Sequence, residues 1–200
     1  MTARPTDTAP CPGRPPLGES LREAAKQMPA TGWLTLTAGF AAAVWVTLRS
    51  GPPTAIATYA AALAAMLLAG AIDSVEQRLP NVLTIGGTIV ALAGFAATVL
   101  LSDENGWWRA VAGGAIFTCW ILAATLIVPG SYGLGDVKLA VLCGILLTWH
   151  SWPALVGGMI ATQIAIATTL LVARRRRKMR VPLGTSFAAG TLIALAVTTL

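Results

Sequence analysis

Residues 54–73 read TAIATYAAALAAMLLAGAID, an apolar run that ends in an aspartate. A helix needs about 20 predominantly apolar residues to cross the ~30 Å hydrocarbon core of a bilayer. The run from Thr54 to Ile72 has this length and therefore predicts a membrane-spanning helix. A carboxylate at mid-bilayer costs at least about 2.5 kcal/mol, and less near the interface, so Asp73 at the end of the run indicates a functional residue.

Six further apolar segments flank this run. They are Trp33–Leu48, Val82–Leu101, Trp108–Val128, Val137–Trp149, Pro153–Ala173 and Leu183–Leu200. Charged residues make up only 11% of the chain and hydrophobic residues 56%, whereas a soluble domain carries about 25% charged residues. The long runs do not alternate as the strands of an outer-membrane barrel do. We therefore expect an all-α fold, a polytopic transmembrane helical bundle of about seven membrane segments.

The first 31 residues differ in composition from the rest. They contain six prolines and charges of both signs, without the apolar core of a signal peptide. We expect residues 1–31 to form a flexible, Pro-rich cytoplasmic tail and residues 32–200 to form the membrane-embedded domain. Residues 19–28 can form a short surface helix, although the composition favours an unstructured leader.

The distribution of basic residues predicts the orientation of the bundle. If the N-terminus is cytoplasmic and all seven segments cross, twelve of the fourteen Lys and Arg residues lie on the cytoplasmic side. Only Arg49 and Arg109 then lie outside, which satisfies the positive-inside rule. The segment 137–149 is short, with 13 residues, but it must cross to keep the basic cluster at 174–180 inside. The chain is thus expected to be a multi-pass protein of the cell membrane.

Several other classes of site are not indicated. Cys11, Cys119 and Cys143 are scattered and His150 is the sole histidine, so we expect no metal site and no cofactor. The net charge of +6 does not predict nucleic-acid binding. The basic cluster at 174–180 is better interpreted as an anchor to anionic lipid headgroups of the bilayer.

A second aspartate lies at the same predicted face as Asp73. Asp136 follows the apolar segment that descends to the cytoplasm and belongs to Gly133-Leu134-Gly135-Asp136. Glycines let the backbone approach a bound peptide closely and adopt positive φ. Two neighbouring carboxylates cannot both be ionised cheaply, so the pair shares a proton over a middle pH range. One can then activate water while the other protonates the leaving amine.

Three elements resemble those of the type IV prepilin peptidases, a family of membrane aspartic peptidases of the GxGD type. They are residues 73–81 (DSVEQRLPN), 133–139 (GLGDVKL) and 182–190 (PLGTSFAAG). Their order and spacing fit, and the similarity extends from about residue 54 to residue 200. The resemblance implies that the protein cleaves the leader of pilin-like precursors at the cytoplasmic membrane face, after a glycine.

The resemblance also implies roles for individual residues. Asp73 and Asp136 would be the catalytic pair, and Gly133 and Gly135 would shape the active-site loop. The remaining candidates are Lys138 in the same loop, Pro80 and Asn81 in the turn after Asp73, and Pro182 and Gly184 in the substrate cleft. Lys138 beside Asp136 could favour ionisation of the pair, but a lysine whose amine extends to the interface needs no such role.

The chain departs from the family pattern at a few places. Long members carry a cytoplasmic domain with paired CxxC motifs and methylate the new N-terminus with S-adenosylmethionine. This chain has no such motifs, so it resembles a short form without methyltransferase activity. Leu183 and Thr185 replace the usual Phe and Pro, which affects the expected substrate preference more than the chemistry. The precursor, the pilus or secretion system and the oligomeric state do not follow from the sequence.

Other functions are compatible with two carboxylates at a membrane. An ion- or proton-coupled transporter uses intramembrane aspartates, but it would show inverted repeats and carboxylates near the midplane. A non-catalytic scaffold would pair the aspartates with Arg78 or Lys138. A presenilin-like protease would carry a Tyr-Asp motif, whereas Ile72 precedes Asp73 here.

Overall fold

The computed structural model describes residues 16–27, 30–49, 51–102, 106–127, 132–175 and 183–198. Within these ranges the chain forms helices and no strand. The helices are α1 (Leu17–Gln27), α2 (Ala30–Leu48), α3 (Pro53–Glu76), α4 (Asn81–Ser102), α5 (Trp107–Ile127), α6 (Leu134–His150), α7 (Trp152–Arg175) and α8 (Gly184–Thr198). Helices α2 to α8 overlap the seven predicted segments, and the all-α, polytopic prediction is confirmed.

The surface of the bundle is apolar along several helices. In α3, α4, α5 and α7 the structure has four helices long and apolar enough to cross a membrane, and α8 is a shorter apolar helix. Large aliphatic side chains such as Ile89, Leu126 and Ile160 are exposed on α4, α5 and α7. So many exposed large apolar side chains on long apolar helices are expected for a protein that faces lipid.

Helix α6 is the central helix of the bundle. It contacts α3, α4, α5, α7 and α8, and its side chains from Leu142 to Trp149 are all buried. The helix has 17 residues and so spans only about 25 Å. Since α6 is surrounded by other helices, its length does not have to match the thickness of the hydrocarbon. This explains why the predicted segment 137–149 is short.

Close contacts join α6 to the helices beside it. Gly113 of α5 lies against Gly144 of α6, where a β-carbon would collide with the Gly113 backbone. The hydroxyl of Tyr59 on α3 donates a hydrogen bond of 2.8 Å to the carbonyl of Leu146. Because this bond fixes α3 against α6, it also fixes the relative position of the two helices that carry Asp73 and Asp136.

The N-terminal region differs from the favoured expectation of an unstructured leader. Residues 17–27 form α1, which packs against α3. Leu17 and Leu21 are half-buried, while Arg22, Glu23 and Lys26 are exposed, so the helix is amphipathic. Residues 1–15 lie outside the described ranges. The division of the chain at residue 31 stays a prediction.

Candidate active site

Asp73 lies in the last turn of α3 and is only 7% exposed. The helix continues four residues beyond the predicted end at Ile72, to Glu76, and Gln77 then adopts a left-handed conformation with φ 54°. The Asp73 Oδ2 atom accepts a hydrogen bond of 2.7 Å from the backbone N–H of Gly184, the first residue of α8. The carboxylate therefore binds the N-terminus of a helix, where the helix dipole favours a negative charge.

Asp136 occupies the third position of α6 and is 8% exposed. Its Oδ2 atom accepts a hydrogen bond of 2.8 Å from the backbone N–H of Gly133, and its own N–H donates to the Gly133 carbonyl at 3.0 Å. A carboxylate at this position satisfies an N–H group that the helix itself cannot pair. Each aspartate thus accepts, through its Oδ2 atom, a hydrogen bond from a backbone N–H at a helix N-terminus.

The two aspartates line the same cavity, which has a volume of about 890 Å³. They are close enough for the charge on Asp136 to act on Asp73. Other predicted site residues along its wall are Pro80, Asn81, Gly133, Gly135 and Lys138. Gly184 contacts the site through its bond to Asp73, whereas Pro182 lies outside the described residues. The structure therefore places together the predicted residues that it describes.

Lys138 forms a hydrogen bond to a residue other than the aspartates that the sequence suggested as its partners. Its Nζ atom donates a hydrogen bond of 2.8 Å to Oδ1 of Asn81, the first residue of α4. Among the described residues neither aspartate forms an ion pair, with Lys138 or with Arg78. The bond links α6 to α4 at the rim of the cavity, and it gives no support to a scaffold in which these cations hold the carboxylates.

Glycines at the site allow a neighbouring side chain to pack closely against the backbone. Gly133 has φ −86° and ψ 162°, an extended conformation, so the expected positive φ is not used there. At Gly135 a β-carbon would lie 3.0 Å from Cβ of Leu79, and at Gly184 it would lie 3.2 Å from Cδ2 of the same leucine. Leu79 therefore packs between the N-termini of α6 and α8.

Sequence reasoning missed Leu79 and a polar pair behind Asp136. The Tyr132 hydroxyl donates a hydrogen bond of 2.8 Å to Oε1 of Gln163, which joins the loop before α6 to α7. Burial raises the pKa of Tyr132, its bond to Gln163 opposes this, and the charge of Asp136 raises it further. The phenol thus stays protonated and can donate. An amide within an apolar run was a usable signal for Gln163, whereas nothing in the sequence distinguished Leu79 from other leucines.

The described residues do not bring together three or more His, Cys, Asp or Glu side chains that could hold a metal ion. What the site offers is a pair of buried carboxylates, backbone N–H groups that hold them, and a cavity of about 890 Å³ beside them. Such a pair can exchange protons with water and with a bound amide.

Comparison with known proteins identifies the family. A family model for the type IV leader peptidase family matches residues 60–174, a range that includes both aspartates and both loop glycines. No curated protein and no solved structure matches the chain. Since the family match covers more than half of the 200 residues and confirms the resemblance drawn from the motifs, the chain belongs to the type IV leader peptidase family.

Proposed function

We propose that this multi-pass membrane peptidase is an aspartic endopeptidase that removes the leader peptide from pilin-like precursors. The observation that carries the proposal is the position of Asp73 and Asp136. These buried carboxylates come from distant parts of the sequence, line one cavity and are each held by a backbone N–H. The family match supports the peptidase activity and the class of substrate.

The chemistry follows from the proximity of the two carboxylates. Their mutual repulsion favours the state in which one is ionised and the other protonated. The ionised carboxylate takes a proton from water as the water oxygen attacks the peptide carbonyl carbon. The protonated one donates a hydrogen bond to the carbonyl oxygen, and a proton then passes to the leaving nitrogen as the C–N bond breaks. The shared proton belongs to the pair, so neither aspartate is assigned a fixed role.

The hydrogen bonds to Gly133 and Gly184 prepare the carboxylates for this reaction. Each bond engages the Oδ2 atom, and a carboxylate has a second oxygen that can act on water or substrate. Because the donors are backbone N–H groups, of Gly133 just before α6 and of Gly184 at the start of α8, they hold the carboxylates without bringing a competing positive charge. The mechanism requires no metal and no cofactor.

The cavity lies at the end of the bundle where α3 ends and where α4 and α6 begin. The positive-inside rule assigns this end to the cytoplasm, so we propose cleavage at the cytoplasmic face of the cell membrane. The substrate is then a precursor protein of a type IV pilus or of a related protein-secretion system. No methylation of the product is proposed, and neither nucleic acid nor a defined oligomer is part of the function.

The test is leader cleavage of a co-expressed pilin-type precursor by wild type, Asp73→Asn and Asp136→Asn. Each asparagine keeps the shape of the side chain but cannot take up a proton from water. We expect each variant to lose at least about 100-fold in cleavage rate, because general acid–base groups contribute about 10²–10⁴. Membrane levels of all forms are measured by immunoblotting, so that loss of protein is distinguished from loss of activity.

Glu76→Gln is the matched control. Glu76 is half-buried and lines the same cavity, so the change removes a carboxylate close to the pair without altering either aspartate. We expect cleavage within a few-fold of wild type. Retained cleavage by either asparagine variant would contradict the two-carboxylate mechanism, and failure of inserted wild type to cleave any pilin-type precursor would contradict the substrate class.

A further inference from the structure

A second cavity, of about 250 Å³, lies at the opposite end of the bundle from the two aspartates. It is formed where α2 and α6 end and where α3 and α5 begin. Trp149, which lines it, is separated from Asp136 by 13 residues of α6, or about 20 Å. Nothing in the proposed cleavage reaction uses this cavity.

The cavity brings together two basic residues that the topology leaves unexplained. Arg49 and Arg109 both line it, although 60 residues separate them in sequence. They are also the two exceptions to the predicted positive-inside distribution, and basic residues are disfavoured on that side. Their convergence on one cavity indicates a local requirement for positive charge.

The hydrogen bonds of Arg109 are incomplete within the described part of the chain. Its Nε atom is buried and has no partner there, and its Nη2 atom makes a single long bond of 3.4 Å to the Trp149 carbonyl. A guanidinium has five N–H donors, and leaving buried donors of a charged group unpaired costs free energy. No described residue lining the cavity is a carboxylate, and an anion bound there would satisfy this group.

The remaining walls are aromatic and partly charged. The ring of Trp149 stacks on Phe95 with centroids 4.1 Å apart, and Phe95 meets Tyr59 edge-on at 5.3 Å. The guanidinium of Arg49 lies 4.1 Å above the ring of Trp45 and is exposed. Tyr59 and Trp149 of the cavity wall are thus packed against Phe95, and side chains that are already packed lose little entropy when a ligand binds.

The position of the cavity along the membrane normal indicates the class of ligand. Trp107 and Trp108 begin α5, and Trp152 begins α7. All three side chains are exposed, and all three are close in sequence to residues that line the cavity. Exposed tryptophans of this kind lie at the headgroup level of a bilayer, where lipid phosphates are found. Arginine matches phosphate by paired, charge-assisted hydrogen bonds. We propose that the cavity between Arg49 and Arg109 binds a phosphate group, carried by a phospholipid of that leaflet or present as a free ion.

The test uses the full chain in detergent micelles and isothermal titration calorimetry. The probes are dihexanoyl phosphatidylglycerol, the same diacylglycerol without phosphate, and inorganic phosphate. We expect saturable binding of the phosphate-bearing lipid and none of the diacylglycerol. Arg109→Gln and Arg49→Gln should each weaken binding at least about tenfold, as expected for loss of a charge-assisted hydrogen bond.

Lys26→Gln is the charge-matched control, because Lys26 is exposed on α1 and does not line the cavity. It should leave the affinity unchanged. Arg49 is exposed, so its substitution keeps the test valid if Arg109→Gln fails to fold. Binding of inorganic phosphate as tight as that of the lipid supports the site and identifies the free ion as its ligand, whereas binding of the lipid alone identifies a headgroup site.

The proposal is overturned if neither phosphate probe binds wild type saturably, or if binding is equally strong in both arginine variants. An internal carboxylate is the competing explanation, and the sequence offers Asp103 and Glu104, which lie outside the described residues. If those acids occupy the arginines, Asp103→Asn with Glu104→Gln will create phosphate binding that wild type lacks. Leader cleavage measured on the same preparations is independent of this result, since the site does not rest on the proposed peptidase mechanism.

Discussion

At the scale of single residues, Gly184 determines whether Asp73 can be held in place. A β-carbon at this position would lie 3.0 Å from Asp73 Oδ2 and 3.1 Å from Asp73 Cβ. Gly184→Ala should therefore displace the carboxylate and lengthen its bond to the backbone N–H. Since a shift of about 1 Å at a reacting group can cost ~100-fold in rate, we expect leader cleavage to fall by at least about tenfold. The measurement is the initial cleavage rate per inserted enzyme.

Gly86→Ala provides the comparison for Gly184. Gly86 lies within α4 and has nothing within 4 Å of the position of its β-carbon. Alanine is favoured over glycine inside a helix by up to about 1 kcal/mol, so this variant should be as active as wild type and no less stable. Equal activity of the two alanine variants would show that Asp73 does not depend on close approach to α8.

At the scale of elements, the bond between Tyr132 and Gln163 connects the active-site loop to α7. Tyr132→Phe removes the donor, and Gln163→Leu removes the acceptor. A neutral hydrogen bond contributes about 1 kcal/mol, so each change should lower cleavage about fivefold by loosening the loop that precedes Asp136.

The double variant distinguishes a shared role from two separate roles. If Tyr132 and Gln163 act through their common bond, the double variant should be no slower than the slower single variant. Effects that multiply, with the two residues acting independently on cleavage, would contradict the proposed connection between the loop and α7.

The contact of α5 with α6 leads to a prediction about stability. A β-carbon at Gly144 would lie 2.8 Å from Cα of Gly114, and backbone atoms cannot move as a flexible side chain can. Gly144→Ala should therefore destabilise the bundle by about 1–3 kcal/mol, the usual cost of overpacking. Gly157→Ala is the control, because its β-carbon would meet Ala194 at an ordinary 3.8 Å. The midpoint of thermal unfolding in detergent is measured for both variants. Equal midpoints would show that the contact between α5 and α6 accommodates a β-carbon at Gly144 without loss of stability.

At the scale of the whole molecule, the sequence predicted where the helices lie better than it predicted which helices pack against one another. Long apolar runs require helices at membrane depth, so α2 to α8 followed from hydropathy. The burial of α6 did not follow, because an apolar side chain is equally suited to lipid and to a protein interior. Asp73 and Asp136 could be placed at one end of the bundle, but the bond from Asp73 to Gly184 spans 111 positions of sequence. That bond and the position of Leu79 depend on how α6 and α8 pack.

The orientation of the bundle gives the last prediction. Changing the six basic residues Arg174, Arg175, Arg176, Arg177, Lys178 and Arg180 to Gln removes half of the twelve predicted cytoplasmic charges. If the cluster anchors the end of α7 to anionic lipid, insertion of the final segment should suffer more than the choice of cleavage site. With seven crossings the C-terminus is outside, so Leu200→Cys in a Cys→Ser background should react with an impermeant thiol reagent in intact cells. The six-fold variant should lose much of this labelling.

The matched control removes charge from the other side. Arg49→Gln with Arg109→Gln deletes the two predicted exterior basic residues, which strengthens the positive-inside bias and should leave labelling at residue 200 unchanged. Full labelling of the six-fold variant together with an altered cleavage site would instead mean that the cluster contacts the precursor. That outcome is disfavoured physically: the precursors that the family resemblance implies are expected to have basic leaders, and like charges repel. Lipid anchoring therefore accounts for the cluster with an attraction, where substrate contact would require a repulsion.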